Sequence, residues 1–173
     1  MGKITILHKP EFSLDDIIFE PTITALWVEF VKFGEKRSFQ TLGEDLESYL
    51  VFTLMRFMER TNLFSIVVAT EFLKASVEYT GREKERVLSE VGDISLILGG
   101  LFPERQKAMG ISKGYLGEMG STAFFELAFS LKRKKYLGMA RFYNKVSKAF
   151  PVMTEVLLAT REEKLPGSFN MSS

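Results

Sequence analysis

The chain has 173 residues, a net charge of +1 and no cysteine. That length suits one domain with its own hydrophobic core. The missing thiols exclude disulfides, Cys-based zinc sites and iron–sulfur clusters, and the near-neutral charge leaves no global field to draw nucleic acid or an anionic membrane.

Residues 1–12 read as extended or loose, with none of the features of a signal peptide. Ser13 with Asp16 three residues later matches a capping box, predicting a short helix over 13–20. Pro21 ends that turn or begins the next helix, predicted for 22–33 and stopped by Gly34. Thr41 with Glu44 is a second capping box, opening a helix to about residue 60. Asn62 caps the next, through Tyr79. Thr80 with Glu83 is a third match and opens a helix that ends at Phe102–Pro103, because the residue before a proline disfavours helical geometry. Ser112 caps a helix to about residue 132. Residues 134–150 form the next, and Pro151 opens a last helix to about residue 164. The tail, 165–173, is expected to be disordered. No alternating strand-like segment, internal repeat or interdomain linker interrupts this pattern. The sequence thus predicts a single all-α domain over 13–164, a bundle of seven or eight helices with antiparallel neighbours.

The stretch VGDISLILGGLFPERQ, Val91 to Gln106, is the most informative. Val87, Val91, Ile94, Leu98 and Leu101 make one apolar stripe. The opposite side is apolar too, apart from Asp93. A helix hydrophobic all round is a central one. Gly99 and Gly100 each cost ~1 kcal/mol against alanine, tolerable where another helix passes close by. Asp93 is then expected to be buried and to need hydrogen bonds or a cation. Ser89, Tyr115, the amides near Ser112 and Arg105 are its candidate partners. The structural reading is a satisfied core aspartate that fixes helix register; the functional reading is a ligand-orienting acid. Tyr115 and Glu118, in the first turns of the helix from Ser112, complete that candidate site, with Glu118 also suiting the helix dipole.

Val91, Gly92, Asp93, Leu96, Gly100, Leu101, Phe102, Pro103 and Glu104, followed by Tyr115 and Gly120, resemble the core pattern of a family of small uncharacterised bacterial proteins. The resemblance spans about 35 residues, implies an all-helical fold and attaches no activity. The chain departs from that pattern at Glu90, where the family often has histidine, at Gly114 and Leu116 beside the tyrosine, and at Phe124, where tyrosine is common.

Other chemistries lack their residues. The only histidine is His8, in the loose N-terminus, so neither a di-iron bundle nor a Ser-His-Asp triad is expected. No metal or cofactor is expected. Glu83, Glu85 and Glu90 interleave with Arg82, Lys84 and Arg86, as on a solvated, salt-bridged face. Lys134, Arg141, Lys145 and Lys148 read as the basic face of an amphipathic helix whose apolar face holds Tyr136, Met139, Tyr143, Val146 and Phe150. Such a face suits an acidic protein partner better than nucleic acid at this net charge. The longest uncharged run, 94–103, is far short of the ~20 residues needed to cross a bilayer, so no membrane insertion and a cytoplasmic location are expected. The sequence also carries 16 phenylalanines, about twice the usual number, which favours a thick core, a self-association surface or a lipophilic pocket. The leading expectation is a non-catalytic interaction or scaffold module that self-associates or serves as an adaptor subunit. The alternative is a binder of a small or lipophilic molecule with a Phe/Met-lined pocket around Asp93 and Tyr115.

Overall fold

A computed structural model describes residues 22–59 and 78–161. The helix expected over 13–20, His8, the tail and all of the helix expected over 62–79 except its last two residues lie outside them, and those two, 78 and 79, are not helical. Six helices occur among the described residues: α1 (Ile23–Ser38), α2 (Glu44–Glu59), α3 (Gly81–Leu101), α4 (Pro103–Ala108), α5 (Lys113–Arg133) and α6 (Leu137–Ala159). There is no strand among the described residues, and none of their helices is long and apolar enough to cross a membrane.

Side-chain capping marks some of these starts. Thr22 Oγ1 accepts from the Ala25 amide at 3.2 Å, and Ser112 Oγ from the Tyr115 amide at 3.1 Å, each satisfying an orphan donor of a first turn. Thr41 does not cap α2, which begins after Gly43 in the left-handed region (φ 78°). Glu35 Oε1 instead draws the Leu42 amide back towards α1 at 2.6 Å.

Two boundaries differ from the sequence reading for packing reasons. Gly34 does not stop α1, which continues to Ser38. A Cβ at Gly34 would sit 2.4 Å from the Val156 carbonyl oxygen, so the glycine lets α1 lie directly on α6. Likewise, the helices expected over 134–150 and 151–164 are one helix, α6, with Pro151 inside it. Proline supplies no N–H to the carbonyl four residues back, that of Ser147. Ser121 Oγ donates to that carbonyl at 3.0 Å, and Ser147 Oγ donates in return to the Ser121 carbonyl at 2.7 Å. The pair satisfies the vacated acceptor and fastens α5 to α6. Because Phe150, Met153, Val156 and Leu157 are all buried, breaking the helix at Pro151 would expose core. The short α4, with Pro103 at its first position, was not expected; merging one pair and adding α4 leaves six helices among the described residues.

α3 is the central helix. Every residue from Val91 to Gly100 is buried except Asp93. Leu96 and Ile97 join Trp27, Val31, Leu50, Leu54, Phe150 and Leu157 in one apolar cluster. Val87, Leu88, Val91, Ile94 and Leu98 join Leu116, Met119, Ala123, Leu127 and Leu131 in a second. Glycines set the spacing of this contact. A Cβ at Gly92 would meet the Phe124 ring at 2.4 Å, one at Gly100 Leu157 Cβ at 2.5 Å, and one at Gly120 the Phe150 ring at 2.4 Å. The pairs Gly92–Phe124, Ser95–Gly120 and Gly99–Leu116 run α5 antiparallel to α3.

Candidate functional site

Three regions follow from this packing. The first is the cleft at Asp93. The Tyr49 hydroxyl donates to Asp93 Oδ1 at 2.5 Å, and Arg56 Nη2 meets Oδ2 at 3.0 Å. Arg56 Nη2 also donates to Thr53 Oγ1 at 3.2 Å. These partners all come from α2 and were not among those read from the sequence. Asp93 is not fully buried as expected: its side chain is 17% exposed, because it faces α2 across a cleft of about 220 Å³ lined also by Phe57, Arg86, Ser89 and Glu90. The Tyr49 ring packs edge-on to Phe124, Phe142 and Tyr143. Burial first, and then the adjacent Asp93 carboxylate, push the Tyr49 hydroxyl well above the ordinary phenol value. Burial also raises Tyr143, against a hydrogen bond with Ser89 that lowers it. Both phenols are therefore neutral at pH 7, Tyr49 donates to Asp93, and both oxygens of Asp93 are engaged. This geometry suits a structural tie between α2 and α3 better than a poised base.

Tyr115 and Glu118 do not line that cleft. Tyr115 is 49% exposed. It lies nine residues along α5 from Phe124, the ring that covers Gly92, or about 13 Å at 1.5 Å per residue. The structure therefore separates Asp93 from the other two members of the predicted site. Glu118 is instead exposed on the outer face of α5.

The second region is that outer face. Phe125, Phe129 and Leu137 are 53%, 53% and 52% exposed. With Ala128 and Ala140 as a floor and Lys132, Arg141 and Asn144 at the sides, they line a groove of about 370 Å³ between α5 and α6. The predicted basic face is only partly there. Lys134 lies in the turn before α6 rather than on it, and its ammonium pairs with Glu85 at 2.7 Å. Lys145 pairs with Asp45 of α2 at 2.6 Å, which holds the Asp45 carboxyl below its ordinary value. Arg141 and Lys148 remain on the exposed side of α6. The acidic face of α3 is salt-bridged as its interleaving suggests, with Arg86 between Glu83 (3.2 Å) and Glu90 (3.1 Å).

The third region, which the sequence reading missed, is the start of α5. Gly114 and Gly117 lie in a helix, where glycine costs ~1 kcal/mol against alanine, yet a Cβ at either would meet nothing within 4 Å. They border a largely apolar groove of about 340 Å³ floored by Ser95, Leu116 and Phe150. The signal available in the sequence was the GxxG spacing itself, two glycines three apart at a capped helix start.

Comparison of the chain with known protein families, with curated proteins and with solved structures finds no match to any of them. Among the described residues, no group of three or more acidic or histidine side chains is placed to hold a metal ion.

Proposed function

We propose that the chain is a non-catalytic interaction module that pairs with a second copy of itself through the Phe125–Phe129–Leu137 face. The observation carrying this reading is the exposure of these three large apolar side chains on one groove, on helices whose other faces are packed. Contiguous exposed apolar surface rimmed by polar groups marks an association site, and aromatic residues are the side chains enriched in such interfaces.

Charge favours a second copy over a partner of one sign. Glu118 and Lys132 lie seven residues on either side of Phe125, on the same exposed stripe of α5 as Thr122 and Phe129. A twofold axis through Phe125 makes the surface self-complementary. It sets α5 antiparallel to its copy and brings Glu118 of each protomer opposite Lys132 of the other. An adaptor role on a different acidic protein draws less support, since Lys145 and Lys134 are already paired within the chain.

Sedimentation equilibrium tests the reading. The wild type is expected at twice its 19.7 kDa mass, and Phe129→Lys at the monomer mass with unchanged helical circular dichroism. A wild type that stays monomeric up to millimolar concentration would refute it.

A further inference from the structure

The turn between α5 and α6 gathers positive charge and exposed apolar surface in one place. From Leu127 to Thr154 the chain holds seven of its 23 Lys and Arg residues and none of its 22 Asp and Glu residues. Four of the seven, Lys132 to Lys135, close α5 and form the turn, and all four are exposed. Lys84, at the start of α3, lines one hollow with Arg133, Lys134 and Glu126, and Glu85 pairs with Lys134. No ion pair joins Arg133 or Lys135 to an acid among the described residues. Lys135 stands where glycine is usual. Its φ is 65°. Its own amide bonds back to the Lys132 carbonyl and that of Tyr136 to the Leu131 carbonyl, each at 3.0 Å, the pattern that ends many helices on a left-handed glycine. A lysine there strains the turn and lengthens the basic run. Tyr136 and Met139 follow, 57% and 53% exposed. Three positions apart, they share one side of the start of α6. Leu137, between them, lines the Phe125–Phe129 groove, and they do not.

We propose that this turn docks on the surface of a bilayer that contains anionic lipid. Arg133, Lys134 and Lys135 meet the headgroup phosphates, with Lys84 behind them. Tyr136 and Met139 enter the interface between headgroups and acyl chains, where a tyrosine ring has both an apolar and a wet neighbour. Nothing crosses the bilayer, in keeping with the lengths of the described helices. The small net charge of the chain does not oppose the contact. Screening limits an exposed charge to about 10 Å at 0.1 M salt, so the local run decides. Nucleic acid would use the same cations, but it would gain nothing from an exposed methionine. Lys132 and Leu137 belong to the self-association face. The lipid contact leaves them free and does not depend on self-association.

Co-sedimentation of the full chain with lipid vesicles provides the test. Vesicles of phosphatidylglycerol and phosphatidylcholine in equal parts should carry the chain down, and vesicles of phosphatidylcholine alone should not. Arg133→Gln combined with Lys135→Gly should weaken binding by about tenfold or more. Because glycine relieves the turn, the melting temperature of that variant should not fall. Tyr136→Ser combined with Met139→Ser keeps every cation and should also weaken binding about tenfold. Both variants keep the Phe125–Phe129–Leu137 face, so their sedimentation equilibrium should match the wild type. Absence of binding to the anionic vesicles at millimolar lipid overturns the proposal. So does equal binding to phosphatidylcholine alone. Vesicle binding that survives the loss of Tyr136 and Met139, or that single-stranded DNA or polyglutamate matches, also overturns it, since the turn would then be a contact for any polyanion.

Discussion

Tyr49 and Asp93 are 44 positions apart in sequence and share a 2.5 Å hydrogen bond that joins α2 to α3. The one acidic side chain in the apolar middle of α3 thereby has a fixed partner, with Arg56 on its other oxygen. Tyr49→Phe keeps the ring contacts and removes only the donor. It is expected to lower unfolding free energy by ~1–3 kcal/mol, the cost of leaving a partly buried acceptor short of a bond. Urea denaturation measures it, and an unchanged midpoint would show that the tie contributes nothing.

The same tie sets a pH dependence. The Tyr49 and Tyr143 hydroxyls are raised in the folded state, while an unfolded tyrosine ionises near pH ~10. Above that pH the unfolded chain gives up protons that the folded chain retains, so it binds fewer and stability falls as pH rises. Their contribution is fully present below pH ~10 and is lost above it. Melting temperature is expected to drop more steeply above that point in the wild type than in Tyr49→Phe. Parallel alkaline limbs would contradict this assignment.

Pro151 and Ser121 should be energetically coupled. Ser121→Ala strips the donor from the Ser147 carbonyl, costing ~0.5–1.5 kcal/mol. In a Pro151→Ala background, the new amide at position 151 can bond that carbonyl, so the same change should cost less. A double-mutant cycle reads the difference; additivity within error would mean that the serine bond does not stand in for the missing helical one.

Two glycine substitutions should have opposite signs. Gly100→Ala drives a methyl into Leu157 and is expected to destabilise by ~1–3 kcal/mol, as overpacking does. Gly117→Ala meets open space and should stabilise by ~0.5–1 kcal/mol. Thermal denaturation of the pair distinguishes a glycine required by packing from one that no neighbour presses on.

Local signals were read well from the chain, and long-range ones were not. Ser112 announces its helix because capping is chemistry within four residues, whereas Thr41 and Thr80 match the capping-box spacing and neither side chain caps. The all-round hydrophobicity of Val91 to Gly100 announces a central helix for the same reason. Pro151 misled because its local preference opposes a helix while the burial of Phe150 and Met153 demands one. Gly34 reads as a stop until α6 is seen lying on it. Asp93 advertised its need for a partner, but the partners come from α2, and nothing in the spacing names them. The surplus of phenylalanine suggested a surface or a pocket. Which of them face outward depends on which side of α5 packs, and α5 is too apolar around its circumference for the pattern alone to decide.

Charge reversal tests the proposed twofold most directly. Glu118→Lys and Lys132→Glu each place like charges opposite one another twice per dimer, and each variant alone should dimerise about tenfold more weakly than the wild type. Mixed in equal amounts, they restore two opposite-charge pairs, so sedimentation equilibrium of the mixture should show dimers of near wild-type affinity. Two variants that dimerise as tightly as the wild type, or a mixture that associates no better than either alone, would contradict the antiparallel α5 pairing.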